Sequence, residues 1–320
     1  MTFVAAVRAK DGIAMVADSF ATTQNNIVDI DDLADYIKKT KKTNINLKDL
    51  LDLFKAVPSH TRNYMDKLIE FDKWTGILTA GKAYINKKPI KKLINDIELA
   101  TQTVNNFATL PVKERVDKIA ELLKPEIEAH INDENDIGET TFIYAQYDHQ
   151  NDKSYFYKID INKTKKSDLL NPKHNLIDIS DAPLLKVITD GQDKLIERLL
   201  YGSFFRMNRS AKVATALSIL RLLKTRKNKR KEVIDLITNP NDDILFDLVK
   251  EDFRWLQLRE LSLQEAIDFS ALLVRIVMDI QMYTQNVPTV GGLIKLAVIT
   301  KPNGFQWISG EKLITPKLVY

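Results

Sequence analysis

The first 18 residues combine two apolar runs and a tight turn, a pattern that strongly limits how the chain can begin. FVAAVRA at 3–9 alternates loosely between the two faces of a strand, and IAMVAD follows at 13–18. Between them lies Lys10-Asp11-Gly12, and an Asp-Gly pair between apolar runs is typical of a β-hairpin. Because Thr2 directly precedes the first run, we expect it at the tip of the first strand.

The rest of the chain repeats this pairing of neighbouring strands and gathers its helices into blocks. The predicted strand regions are 66–81, 140–150, 153–162, 183–191, 292–300 and 304–309. Helical spacing of apolar residues predicts two short helices within 28–57, two more in 82–107 and 111–131, and a long helical region over 192–286. Hairpin-linked strands covered by blocks of helices indicate an α+β fold built from antiparallel sheets. We expect one layered domain although the length of 320 residues suggests two.

Composition excludes several classes of function. The chain has no cysteine, which excludes disulfides, thiolate catalysis and cysteine-ligated metals. Its four histidines are scattered without ligand spacing, and there is no glycine-rich phosphate loop, so we expect no cofactor and no metal. A net charge of +4 gives little reason to expect nucleic acid as a partner.

Two apolar stretches are candidates for targeting or membrane segments, and both contain charges. Arg8, Lys10 and Asp11 interrupt the N-terminal run before a signal peptide could form. The stretch 266–283 contains three charged residues, whereas a membrane span needs about 20 residues nearly free of charge. We therefore expect a cytoplasmic protein with no membrane partner and with no leader.

Four blocks of sequence resemble the proteasome β-type subunits of the N-terminal-nucleophile hydrolase superfamily. They are Thr2 with the Asp-Gly turn and ADSFAT at 17–22, DKLIEFDKWTGILTAG at 66–81, LSLQEAIDFSALLVRIV at 261–277, and VGGLIKLAVITKPNGFQWI at 290–308. The blocks occur in the family's order. The resemblance implies a four-layer αββα sandwich, assembly into a homo-oligomer, and an amide-cleaving activity on a peptide or protein substrate.

The resemblance assigns roles to five residues. Thr2 would be the nucleophile after removal of Met1, Lys67 the catalytic lysine, and Asp18 the carboxylate that orients this lysine. Gly81 would offer its backbone N–H to an oxyanion, and Asp190 would accept a hydrogen bond from the Thr2 amine where the family has a serine. Each residue also has a simpler interpretation. Thr2 would be a strand-tip residue, Lys67 a solvated lysine and Asp18 a turn residue at a strand end. Gly81 would be a turn glycine with positive φ, and Asp190 a loop aspartate.

The sequence also departs from the family pattern. Residues 23–60 and 203–260 are expected to be helical insertions in a single domain that spans 1–320. Asp190, Val287 and Val290 stand where the family has a serine, an aspartate and a serine near the active site.

Two functional hypotheses therefore remain. A threonine hydroxyl needs an acceptor for its proton, and a free α-amine, whose pKa is about 8, is such an acceptor. The first hypothesis is a threonine amidohydrolase that acts through an acyl-enzyme, or a ligase that passes the acyl group to an amine. The second is a catalytically silent scaffold of the same fold, which the three changed positions favour.

Overall fold

A computed structural model describes residues 2–41, 53–62, 65–104, 106–134, 137–161, 175–178, 187–192, 196, 199–200, 261–284 and 287–309. The chain divides into two compact units, Met1–Gln192 with Glu260–Tyr320, and Asp193–Arg259. All features below belong to the first unit. The single-domain organisation stays a prediction, and the expected insertion at 203–260 lies outside the described residues.

Fourteen strands and four α-helices are present in the described part of the chain. The strands are β1 (Phe3–Arg8), β2 (Gly12–Ala17), β3 (Ala21–Ile27), β4 (Lys55–Arg62), β5 (Leu68–Asp72), β6 (Thr75–Ala80), β7 (Tyr84–Ile85), β8 (Lys88–Pro89), β9 (Thr140–Asp148), β10 (Lys153–Ile161), β11 (Asn175–Asp178), β12 (Val187–Gly191), β13 (Lys295–Thr300) and β14 (Gly304–Ser309). The helices are α1 (Ile30–Thr40), α2 (Ile90–Thr101), α3 (Val112–Glu134) and α4 (Leu263–Thr284).

Two five-stranded sheets, whose strand pairs are antiparallel, form the centre of the fold. The first has the order β12-β1-β2-β13-β14 and the second the order β11-β10-β9-β6-β5. Alternate side chains of both sheets meet in one apolar cluster, in which Met15 of β2, Ile143 of β9 and Phe305 of β14 are buried. The sheets therefore pack face to face, as period-two alternation requires of strands buried on both sides.

Helices cover the outer faces of this pair of sheets. On the second sheet, α2 and α3 bury Leu93, Ile94 and Ile119 against the strand residues Ile77 and Tyr144 in a second apolar cluster. On the first sheet, α4 packs on β1, β2 and β13 through a stripe of small and branched side chains that includes Ala266, Ser270 and Val274. The predicted αββα arrangement is confirmed. No helix among the described residues is long and apolar enough to cross a membrane.

The expected helical insertion at 23–60 contains strands as well as a helix. β3 and β4 pair as a two-stranded antiparallel ribbon, and α1 follows β3. The side chain of Asp29 caps α1 by accepting from the Asp31 N–H at 2.9 Å, which explains where this helix begins. The second predicted helix is wrong at residues 55–57, which belong to β4, while residues 42–52 lie outside the described part.

The helical prediction for 82–107 also began too early. A short ribbon, β7–β8, precedes α2, which starts only at Ile90. The hairpins predicted at the N-terminus, over 66–81, over 140–162 and at the C-terminal strands are confirmed.

Candidate active site

Asp18 follows the last residue of β2, is fully buried, and binds four donors. Its Oδ1 accepts from the Phe3 N–H at 2.9 Å and from Lys67 Nζ at 2.7 Å. Its Oδ2 accepts from the N–H groups of Phe20 at 3.2 Å and Gly291 at 3.1 Å. A buried carboxylate is stable only when its charge is paired and its oxygens are hydrogen-bonded, and here both conditions hold.

Lys67 lies at the entrance to β5 with only 8% of its side chain exposed. Burial lowers the pKa of its ammonium below the ordinary value, and the nearby Asp18 carboxylate opposes this effect by favouring the charged form. A lysine of lowered pKa exchanges a proton more readily near neutral pH than a solvated lysine does.

Thr2 precedes β1 and is 4% exposed. One peptide group, between Thr2 and Phe3, is held from both sides. The Thr2 carbonyl accepts from the Gln192 N–H at 2.7 Å, and the Phe3 N–H donates to Asp18. Gly191 makes the first of these contacts possible, because its φ is +93° and a Cβ there would lie 1.9 Å from the Thr2 carbonyl oxygen.

Thr2, Lys67 and Gly81 line one cleft of about 650 Å³. This volume is in the range of small-molecule and peptide side-chain sites. The wall is mixed in character, with the apolar residues Phe20, Met65, Ala83, Ile90 and Ile137 beside charged Asp66, Lys82 and Glu139. Gly81 directly follows β6 with φ +106°, and a Cβ there would lie 2.2 Å from the Glu139 carbonyl oxygen, so this turn requires glycine.

The structure thus brings together four of the five predicted site residues. Asp190 is different, because its carboxylate pairs with Lys158 Nζ of β10 at 2.7 Å and accepts from the Gly191 N–H at 2.5 Å. Asp190 does not line the cleft. Its observed contacts therefore stabilise the turn that holds the Thr2 carbonyl, and they differ from the predicted contact with the Thr2 amine.

The two valines that replace polar residues in the family pattern lie near the end of α4. Val290 is buried, and its N–H donates to Gln281 Oε1 of α4 at 3.0 Å. Val287 is half-buried. Neither side chain can donate or accept a hydrogen bond, so neither supports the polar chemistry that the family pattern has at these positions.

Sequence reasoning did not identify three further contributors to this region. Gly291 supplies an N–H to Asp18, and its distance along the chain hides this contact from any local pattern. Thr79, which lines the cleft, and Ser19 are buried, and their hydroxyls have no hydrogen-bond partner among the described residues. Within the same described part, no group of three or more histidine, aspartate or glutamate residues is placed to hold a metal ion.

Comparisons with known proteins add little to this picture. A scan against protein-family models gives no match, and a search of curated proteins gives none. A search of solved structures finds a mutant of Anbu from Hyphomicrobium sp. strain MC1, with 14% sequence identity and a TM-score of 0.45. The match covers 97% of this chain and 88% of that chain. No residue role is carried over from it.

Proposed function

We propose that this protein is an N-terminal-threonine amidohydrolase that cleaves an amide bond of a peptide or protein. The observation that carries the proposal is the buried Thr2 in a cleft beside Lys67, whose ammonium is held by the fully buried Asp18. A buried lysine–aspartate pair beside a hydroxyl is one of the arrangements that activate a poor nucleophile.

The proposed reaction begins when Met1 is removed and Thr2 gains a free α-amine. The Thr2 hydroxyl oxygen attacks the carbonyl carbon of the substrate while its proton passes to the α-amine, directly or through water. Lys67 stabilises the negative charge that develops on this oxygen. The carbonyl oxygen becomes an oxyanion and accepts from the Gly81 N–H, a contact that contributes about 3–4 kcal/mol in comparable enzymes.

Collapse of this intermediate breaks the C–N bond. The proton held by the α-amine goes to the leaving amine, and the acyl group stays on Thr2 as an ester. A water molecule then attacks the ester and gives one proton to the α-amine, which passes it to the Thr2 oxygen as the ester C–O bond breaks, so that the carboxylic acid leaves and the hydroxyl is restored. An amine in place of water would make the same acyl-enzyme a ligase.

A catalytically silent scaffold is the second candidate. Asp190, Val287 and Val290 favour it, since one is paired with Lys158 and the other two are apolar. Against it, Thr2, Asp18, Lys67 and Gly81 are all retained. A homo-oligomer in the cytoplasm is part of either proposal, as the family resemblance suggests.

The test is the intact mass of the full chain, expressed from its own start codon and treated with a β-lactone that acylates hydroxyl groups. We expect loss of Met1 and one adduct, located by peptide mapping at Thr2. Thr2→Ser should keep the adduct and Thr2→Ala should lose it. Retention of Met1, or its loss without an adduct, would reject the hydrolase and leave the scaffold.

A further inference from the structure

Two lysines, rather than one, are buried beside the cleft. Lys67 and Lys295 each expose 8% of their side chains, and each is paired with one aspartate. Asp18 holds Lys67, and Asp66, which also lines the cleft, binds Lys295 through its Oδ1. Only the first pair has a role in the proposed reaction.

Both ion pairs join the segment at 66–67 to the adjacent ends of two paired strands. Asp66 and Lys67 are consecutive residues, whereas Ala17, directly before Asp18, and Lys295 are facing partners in β2 and β13. One short segment therefore supplies an acid and a base, and the adjacent ends of two strands supply their partners. The sum of the four charges is zero.

Backbone hydrogen bonds hold the same segment next to these ion pairs. The Met65 N–H donates to the Ser19 carbonyl at 2.9 Å, and the Lys67 carbonyl accepts from the Thr79 N–H at 2.9 Å. These bonds fix where the segment lies. They do not involve the Asp66 and Lys67 side chains, which are held instead by the two ion pairs.

We propose that Lys295 and Asp66 are positioning residues, whose ion pair fixes the segment 65–67 so that the Lys67 ammonium stays buried against Asp18. This inference rests on the proposed function, since it concerns how the catalytic lysine is held. Pinning the Asp66 side chain to Lys295 sets the direction of the adjacent Lys67 side chain.

The environment of Lys67 indicates what loss of the pair would change. Asp18 is paired with Lys67, and Asp66 and Lys295 form the second pair. Lys91 of α2 lies 3.6 Å from Asp66 Oδ2. Lys82 and Glu139 are the other charged residues that line the cleft. Burial is the main reason that the Lys67 pKa is low. A loosened segment admits water to the ammonium, so its pKa should rise toward 10.5.

The chain offers a matched control in Arg115 and Asp72. The exposed fractions of these two paired side chains are 9% and 31%, against 8% and 32% for Lys295 and Asp66. Arg115 lies on α3 and is in the apolar layer over the second sheet, away from the cleft. Loss of either pair should lower the thermal midpoint comparably. Only loss of the Lys295–Asp66 pair should change the pKa of Lys67.

The experiment is an NMR titration of the Lys67 side chain in full-length protein with 13C-labelled lysine, assigned by comparison with Lys67→Arg. In Lys295→Met and in Asp66→Asn we expect the Lys67 pKa to rise by about one unit. Lys295→Arg, which keeps the charge, should keep the wild-type value, and so should Arg115→Met. If Lys295→Met fails to fold, Asp66→Asn, whose side chain is partly exposed, carries the test.

An unchanged Lys67 pKa in both single variants would overturn the proposal, as would an equal rise in Arg115→Met. The titration needs no catalysis, so it is separable from the proposed function. A rise of the Lys67 pKa in the variants, with no β-lactone adduct at Thr2 of the wild-type protein, would support the positioning role and reject the hydrolase. An adduct at Thr2 of the wild-type protein, with no rise of the Lys67 pKa in the variants, would support the hydrolase and reject the positioning role.

Discussion

The Thr2–Phe3 peptide is held by two regions of very different character. On the β2 side the contact is made by Asp18, a fully buried carboxylate that also holds Lys67 and two loop N–H groups. On the β12 side the contact is a backbone N–H of Gln192, and Asp190 of β12 is partly exposed and paired with Lys158.

The two sides therefore have different roles: the β2 side carries ionisable groups of the cleft, and the β12 side holds the backbone of Thr2 in place. The β2 side brings ionisable side chains into the cleft with Thr2, so its residues are able to move protons. The β12 side gives Thr2 a backbone N–H, while its Asp190–Lys158 pair does not line the cleft, and the valines at 287 and 290 have apolar side chains. The proposed reaction therefore depends on the Thr2 amine and the Lys67–Asp18 pair for its proton transfers. Among the described residues, Asp190, Val287 and Val290 make no hydrogen bond from their side chains to Thr2.

The largest expected effect is that of Asp18→Asn. This change leaves the Lys67 ammonium buried without a counter-charge, which should lower the free energy of unfolding by about 3–5 kcal/mol. Asp190→Asn, the equivalent change on the other side, breaks a partly exposed pair and should remove only about 1 kcal/mol. Urea unfolding of both variants measures the two values. Equal losses would mean that the two sides do not differ as described.

Gly191→Ala tests the backbone side of the comparison. The new Cβ would lie 1.9 Å from the Thr2 carbonyl oxygen at a φ of +93°, so β12 must move away from Thr2. We expect a loss of about 3 kcal/mol together with slower adduct formation at Thr2.

Gly138→Ala is the control for the stability measurement alone, because Gly138 itself lines the cleft. Its φ is +69°, but the nearest atom to its Cβ is a flexible lysine carbon at 3.8 Å, so only the conformational cost of about 1 kcal/mol applies. Thermal midpoints rank the two variants. A Gly191→Ala variant as stable as Gly138→Ala would show that the contact with Thr2 is not required.

The smallest effect is on the pH dependence of stability. The folded-state pKa of Lys67 is below its unfolded value of 10.5, so between these two values the unfolded chain binds more protons than the folded chain. The free energy of unfolding should therefore rise with pH across this window, by up to about 1.4 kcal/mol per unit of pH. Below the folded pKa the penalty for burying the charge is fully present.

Lys67→Met should lack this rise. Burial raises the pKa of Tyr144, which makes stability fall at alkaline pH, but this contribution is common to both proteins and cancels in their difference. Denaturant unfolding at several pH values from about 8 to 10.5 measures the two slopes. Identical slopes would contradict a lowered Lys67 pKa.

Most of the fold was predictable because its strands are joined by short turns with strong local signals. The Asp11-Gly12 turn and the turn before Gly304 each lie between apolar runs, and both hairpins formed as expected. The ribbon of β3 and β4 was missed because ATTQNNI at 21–27 has no apolar alternation. Lys55–Val57 continues a helical pattern, yet it pairs with β3, so a tertiary contact overrides the local preference.

The site was predictable only where its residues belong to sequence blocks of the resemblance. Asp18, Lys67 and Gly81 lie in such blocks, and they are found at the cleft or bound to a residue that lines it. The contacts of Asp190 were not predictable, because its partner Lys158 lies on β10 of the other sheet. The same holds for Lys295 and Asp66, which are far apart in the chain and meet only when β13 pairs with β2.

The burial of Thr2 also bears on whether Met1 is removed before or after β1 folds. An aminopeptidase must draw the end of a chain into its own active site, and Thr2 is only 4% exposed while the peptide group that follows it is hydrogen-bonded on both sides. Removal of Met1 would therefore have to precede the docking of β1 between β2 and β12. If the proposed function holds, a molecule whose first sheet closes before Met1 is removed would keep Thr2 blocked. Slower folding of β1 would then increase the fraction of molecules that have a free Thr2 amine.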